Sequence, residues 1–359
     1  GLDTGDYKKT APPEPSIIPK GIATPGLLAA IAVAKFADGL PLYRLEDIFK
    51  RSDVELSRTT MARWMLKVAE SLTPVWNVLS DRVIESFYVS CDETRTQVLK
   101  EKGRKAESQS WMWVRATPFG VNKIVLFDYN PSRSGDVALS ILEGFKGYLQ
   151  VDGYGGYNKL SGLEGVIRLG CSMHARRYFE KALSSGAKEG KTLAEKGLKY
   201  FKDLFKLEEK LKEKPPDERR AVRLKEAQPL WEAFKTWVDE NQAKVPPSSK
   251  IGKAFHYFAS EYEHLTRYLK DGRLEMDSGF VGRCIRKFAI GRNNWLFSDT
   301  PEGADASAVL YSMIVTAKVN NINPYQALKY IFEKIPCAQS LEDIEHLANV
   351  ITGKAPLPP

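Results

Sequence analysis

The chain has 359 residues, 43% of them hydrophobic and 27% charged, enough for one large core or two to three smaller domains. No apolar run approaches the roughly 20 residues that cross a bilayer, and no leader-like segment precedes residue 30, so a cytoplasmic protein is expected. The cysteines Cys91, Cys171, Cys284 and Cys337 form no CxxC pair, which argues against a disulfide framework or a zinc ribbon. A net charge of +8 suits a polyanionic partner such as nucleic acid.

Residues 1–25 carry five prolines among Lys, Thr and Gly and read as an extended linker. Helical patterning opens at "PGLLAAIAVAKFADGL" and covers 26–84. Within it, a short helix, a break near Ser52-Asp53 and a second helix capped by Ser57 would form a helix-turn-helix. Arg58, Thr59, Thr60 and Arg63 would then face a major groove. An ordinary helical pair with a solvated basic face explains the same pattern.

The period changes at residue 85. "SFYVSCDE", "SWMWVRATP" and "NKIVLFDYNP" read as strands, "SGDVALSILEGF" as a compact helix and "KGYLQVDG" as a fourth strand. "GVIRLGCSMHARRYFEKAL" is a short strand running into a helix, which closes a region at 182. Residues 183–270 form a Lys-, Glu-, Leu- and Phe-rich helical block. Residues 271–335 carry further helices, the last starting at Pro324, and 336–359 read as a tail.

Acids stand at the ends of the first and fourth strands. If these strands are neighbours, Asp92 and Asp152 meet at one sheet edge, where a divalent cation would relieve their repulsion. Paired Mg²⁺ or Mn²⁺ ions can activate water or a 3′-hydroxyl for attack on phosphate. Taken alone, Asp152 in "VDGYGGYN" reads first as a turn-former. No P-loop and no HExxH occurs. Cys171 and His174 make a lone C-x-x-H, whose default reading is a packed cysteine and a helix-start histidine.

These segments resemble, in order, the large transposase of the insertion-sequence-66 family of bacterial mobile elements. "CDETRTQVL" resembles its A-D-E-T motif, "VDGYGGYN" its T-D-G-Y-x-G-Y and "GCSMHARRYF" its G-C-W-A-H-A-R-R-x-F. "DGRLEMDSGFVGRCIRKFAIGRNNWLF" and "YSMIVTAKVNNINPYQAL" resemble two later motifs, and the similarity runs over about residues 17–336. The resemblance implies an α/β fold: a ribonuclease-H-like mixed sheet flanked by helices, an N-terminal helical region and an all-helical insertion. The core would be split between 85–182 and 271–335.

It also implies DNA cleavage and strand transfer of the DDE type at element ends, with Mg²⁺ or Mn²⁺ held by Asp92 and Asp152. Cys171 and His174 would support the site, and Arg176, Arg177, Arg283, Arg286, Arg292 and Asn294 would orient DNA or brace it. Terminal repeats in double-stranded DNA, a second copy of the chain and accessory proteins of the element are the implied partners, in a bacterial, nucleoid-associated setting.

Two positions depart from the pattern. The family's third acid falls on Gly282, and the glutamate of its E-T-A-K segment falls on Val315. Glu275 lies seven residues before Gly282, about 10 Å along a helix axis. Asp277 falls on another face and suits a helix cap, and Glu93 points away from Asp92 across the strand. An active transposase, a transposase-derived DNA-binding protein without strand transfer, and an engineered inactive variant all fit these residues.

Overall fold

A computed structural model describes residues 15–19, 21–184 and 188–357, the side chains of 188–190 excepted. Most of the proline-rich stretch 1–25 therefore lies outside the described residues. Three helices come first: α1 (Pro25–Phe36), α2 (Leu42–Lys50) and α3 (Arg58–Ile84). Thr24 and Ser57 cap α1 and α3 by accepting the free N–H groups of Leu27 and Thr60. The stretch between α2 and α3 is seven residues, 51–57, and α3 runs on for 27 residues into the core.

The sheet follows: β1 (Tyr88–Gln97), β2 (Gln109–Ala116) and β3 (Val125–Asn130) form an antiparallel meander. After α4 (Gly135–Ile141), β4 (Gly147–Gln150) returns parallel to β1. The short α5 (Asn158–Ser161) leads to β5 (Val166–Leu169), parallel to β4, and then to α6 (Ser172–Leu183). The order β3-β2-β1-β4-β5 is that of a ribonuclease-H-like mixed sheet.

The insertion comprises α7 (Lys188–Leu211), α8 (Pro216–Val222), α9 (Gln228–Gln242) and α10 (Lys250–Thr266), with a π turn over Arg223–Ala227. It has its own aromatic core, in which Phe201, Trp231, Phe234, Phe255 and Phe258 are fully buried. The chain then re-enters the main core through α11 (Gly279–Trp295), α12 (Pro301–Val319) and α13 (Pro324–Lys334). The stretch 336–359, expected as a tail, instead contains α14 (Leu341–Thr352), which packs its Leu347, Ala348 and Ile351 into that core. Its apolar residues recur at helical spacing, and Ser340 and Asp343 form a capping box at its start.

Both sheet edges are covered, which removes unpaired strand groups. On β3, the Ser312 and Thr316 hydroxyls of α12 accept the Phe127 and Val125 N–H groups at 2.8 and 3.0 Å. On β5, the chain at the end of α10 takes over: Arg267 donates to the Arg168 carbonyl at 2.9 Å, and Gly170 N–H donates to the His264 carbonyl at 2.9 Å. The insertion thus closes the side of the sheet that carries Asp152.

Candidate active site

β1 alternates strictly. Val89 and Cys91 enter the main core, while Tyr88 enters the core of the insertion. Asp92 shares the Tyr88 face, and Glu93 takes the other. The strand continues to Gln97, so Asp92 sits in its middle rather than at its end as the sequence suggested. The extension comes from pairing with β2, where Asp92 faces Val114 and Gln97 faces Gln109. Ser90 pairs with Gln150, the last residue of β4, and two residues further along the chain stand Asp92, still in β1, and Asp152, just past the end of β4. Parallel register therefore brings these two carboxylates to one level.

The Asp152 loop is held from several sides. Asp152 Oδ1 accepts the Tyr154 N–H at 2.9 Å, so this aspartate does form a turn. The Asp152 carbonyl accepts from Arg168 Nη2 at 2.9 Å, and the same guanidinium nitrogen reaches Glu261 of α10 at 2.7 Å. The Gly153 N–H donates to Tyr257 Oη, also of α10, at 2.9 Å. Just upstream, Gln150 accepts from Tyr88 Oη at 2.6 Å and donates to the Gly170 and Glu275 carbonyls at 3.2 and 2.9 Å.

Behind the sheet, Glu93 links the two motifs. It accepts from Tyr157 Oη at 2.6 Å and from Arg133 Nε at 2.6 Å, with its side chain only 1% exposed. The Arg133 guanidinium lies 3.8 Å from the Tyr154 ring centroid, and Tyr154 Oη donates to the Arg133 carbonyl at 2.7 Å. The first-motif acid that is not Asp92 therefore anchors the tyrosines that follow Asp152.

Electrostatics follow from this crowding. Burial pushes the Asp92 carboxyl up to about 6, opposed by His174 and reinforced by Glu93 and Asp152. Burial also raises Glu93 against the pull of Tyr157 and Arg133, and raises Asp277 against its bond to the Gly279 N–H. His174, in the first turn of α6, acts on both Asp92 and Asp277. Its Nδ1 is buried without a partner, and its Nε2 lies 3.3 Å from Arg177. Cys171 is packed: its Sγ accepts from the Ser278 N–H and Oγ at 3.2 and 3.0 Å, and burial raises the thiol to about 11.

The third-acid position lies in the first turn of α11, which crosses the Asp92 face of β1 and bonds Thr94 through Arg292 at 3.3 Å. A Cβ built on Gly282 meets nothing within 4 Å. Glu275 does not fill the gap; it pairs with Arg219 at 3.3 Å. Asp277 is tied to the start of α11 through the Gly279 N–H, with Ser278 in the cap position making no side-chain cap bond. Val315 is buried and lines a small cavity with Arg283, Lys287 and Lys318. Among the described residues, no three His, Cys, Asp or Glu side chains converge as a cation's donor set would. The residues present thus offer the carboxylates of Asp92 and Asp152 as oxygen donors, with no third acid gathered beside them among the described residues.

The other candidates divide into free and engaged groups. Arg58, Thr59 and Arg63 are exposed on the first turns of α3, and Thr60 is half-buried against Ser57. Arg283 and Arg286 are exposed on α11. Arg176 pairs with Glu180 at 2.9 Å. Arg292 also bonds the Arg95 carbonyl, and Asn294 donates to the Gly39 carbonyl at 2.7 Å, so both stitch α11 to its neighbours. Sequence reasoning missed Arg168, Glu261 and Tyr257. The one available signal was the lone arginine inside the apolar run "GVIRLG".

Residues 312–348 match the family described as IS66 C-terminal element. Three proteins of Sinorhizobium fredii are similar: "Uncharacterized protein y4qI" at 33% identity over 92% of this chain, "y4jD" at 30% over 90% and "y4hP" at 28% over 88%. The chain covers 63%, 65% and 60% of their respective lengths. Residues 20–306 match the family described as Transposase IS66 family, and the chain belongs to that family.

Proposed function

We propose that this chain is a transposase-fold DNA-binding protein that holds element ends but whose cleavage and strand-transfer centre is one acid short. The observation that carries this reading is Gly282. Its position on α11 offers open space and no side chain, and no neighbouring acid takes its place. With two carboxylates a single ion would rely on water and phosphate oxygens for the rest of its shell, and a second ion would lack its acid. Mg²⁺ or Mn²⁺ would therefore bind weakly at Asp92 and Asp152.

DNA binding in this reading rests on charge and exposure. The chain is basic, and Arg58, Arg63, Arg283 and Arg286 are exposed. Duplex DNA carrying the terminal repeats is the expected ligand. Two ends must be held together for transposition, so the acting species is a dimer, with accessory proteins of the element as further partners. No described helix is long and apolar enough to cross a membrane.

A second reading, an active transposase of the DDE type, is favoured by the intact support of the Asp152 loop through Arg168, Glu261 and Tyr257. A duplex-binding titration and a Mn²⁺-dependent cleavage assay on a terminal-repeat substrate test both. Binding without cleavage supports the first reading, and cleavage abolished by Asp152→Asn supports the second.

A further inference from the structure

Beside the Asp152 loop, α6 and α10 enclose a groove of about 600 Å³, lined by Gly153, Tyr178, Lys253, His256, Tyr257 and Ser260 among others. That volume is in the range of small-molecule sites and too narrow for a duplex. Tyr178 and Tyr257 stack at 4.4 Å with an interplanar angle of 22° and form an aromatic wall. Lys181 extends over Tyr178, 5.6 Å from its centroid, and Lys253 and His256 are exposed. No acidic residue lines the groove, and none of these three basic groups has an ion-pair partner among the described residues.

The groove is joined to the two carboxylates by more than proximity. Tyr257 Oη holds the Gly153 N–H, and a Cβ at Gly153 would lie 2.5 Å from the Tyr257 ring. Glycine is therefore required next to Asp152 so that the aromatic wall can close against the loop. Whatever occupies the groove touches the side chain that positions Asp152.

We propose that the α6–α10 groove is a subsite for an unpaired nucleotide at a DNA end, with the tyrosine wall receiving the base and Lys253 and His256 facing its phosphate. An aromatic wall recognises any base by stacking, and flanking cations track the backbone without sequence preference. This rests on the DNA-binding reading above and adds to it the helical insertion as the element that grips the strand end.

The test compares fluorescence anisotropy of the full chain with a blunt duplex and with the same duplex bearing a short single-stranded overhang on either strand. The overhang form binds about fivefold or more tightly, as stacking of one base allows. In Lys253→Ala and His256→Ala, both exposed and therefore tolerated by the fold, that preference shrinks to about twofold or less. A 2-aminopurine in the overhang loses fluorescence on binding, and Tyr178→Leu removes that quenching. Equal affinity for blunt and overhang forms, with binding intact, overturns the subsite and leaves the DNA reading standing. No binding of either form overturns both.

Discussion

Tyr157 donates its hydroxyl to Glu93 at 2.6 Å, joining the strand that carries Asp92 to the loop that carries Asp152 across the back of the sheet. Glu93 is buried, with Arg133 as its other partner. Tyr157→Phe removes a bond to a charged group and leaves Glu93 short of one donor. We expect a loss of about 1–3 kcal/mol in denaturant unfolding, as for other bonds to buried charges. A variant as stable as the parent would show that the bond does not hold the two motifs together.

The Asp92 carboxyl, raised from its ordinary 3.8 to about 6, carries a pH signature. Between these values the folded chain holds a proton that the unfolded chain has released. Stability therefore falls as pH rises through this window and stays low above it. Asp92→Asn removes that cost. The variant should be more stable than the parent at pH 7.5 by about 1–3 kcal/mol, allowing for partial exposure, and the gap should close below about pH 4. Thermal melts across pH check this, and a less stable Asn variant at pH 7.5 would contradict it.

Arg168 is 4% exposed and holds both Glu261 and the Asp152 carbonyl. Arg168→Leu strands a buried carboxylate, so a loss of about 3–5 kcal/mol is expected. Adding Glu261→Gln should restore part of it, because the uncompensated charge is gone. Urea unfolding of the two single variants and the double variant measures the coupling. Strict additivity would mean that the pair does not tie the insertion to the sheet.

Arg58 and Arg63 are the exposed cations at the start of α3. If this helix meets duplex DNA, Arg58→Ala and Arg63→Ala should each weaken binding across sequences. Each should also reduce the slope of log affinity against log salt by about 1. Titrations at several salt concentrations test this, and an unchanged slope in both would move the DNA surface elsewhere.

Much of the architecture was legible because period and punctuation agreed. The alternation in "SFYVSCDE", the apolar "GYLQV" run and the cap at Ser57 each specify a local geometry that the tertiary structure keeps. β1 ran longer than its alternation suggested because its second half gains its place from the β2 ladder. α14 was missed because it follows a proline-containing turn at 335–337, which reads as an ending. At the site, Asp92 and Asp152 could be paired from strand order. The bonds from Tyr257 and Glu261 could not, since their partners Gly153 and Arg168 lie about a hundred residues away in the chain and meet them only through α10.

Gly282 decides between the readings of this centre. A Cβ added there meets nothing within 4 Å, and replacing a helical glycine should itself favour α11 by about 0.5 kcal/mol. The direct measurement is Mn²⁺-dependent cleavage of a terminal-repeat duplex by the parent chain, Gly282→Glu and Asp152→Asn side by side. The parent should not cleave, and Gly282→Glu should gain cleavage. Cleavage by the parent that Asp152→Asn abolishes would contradict it.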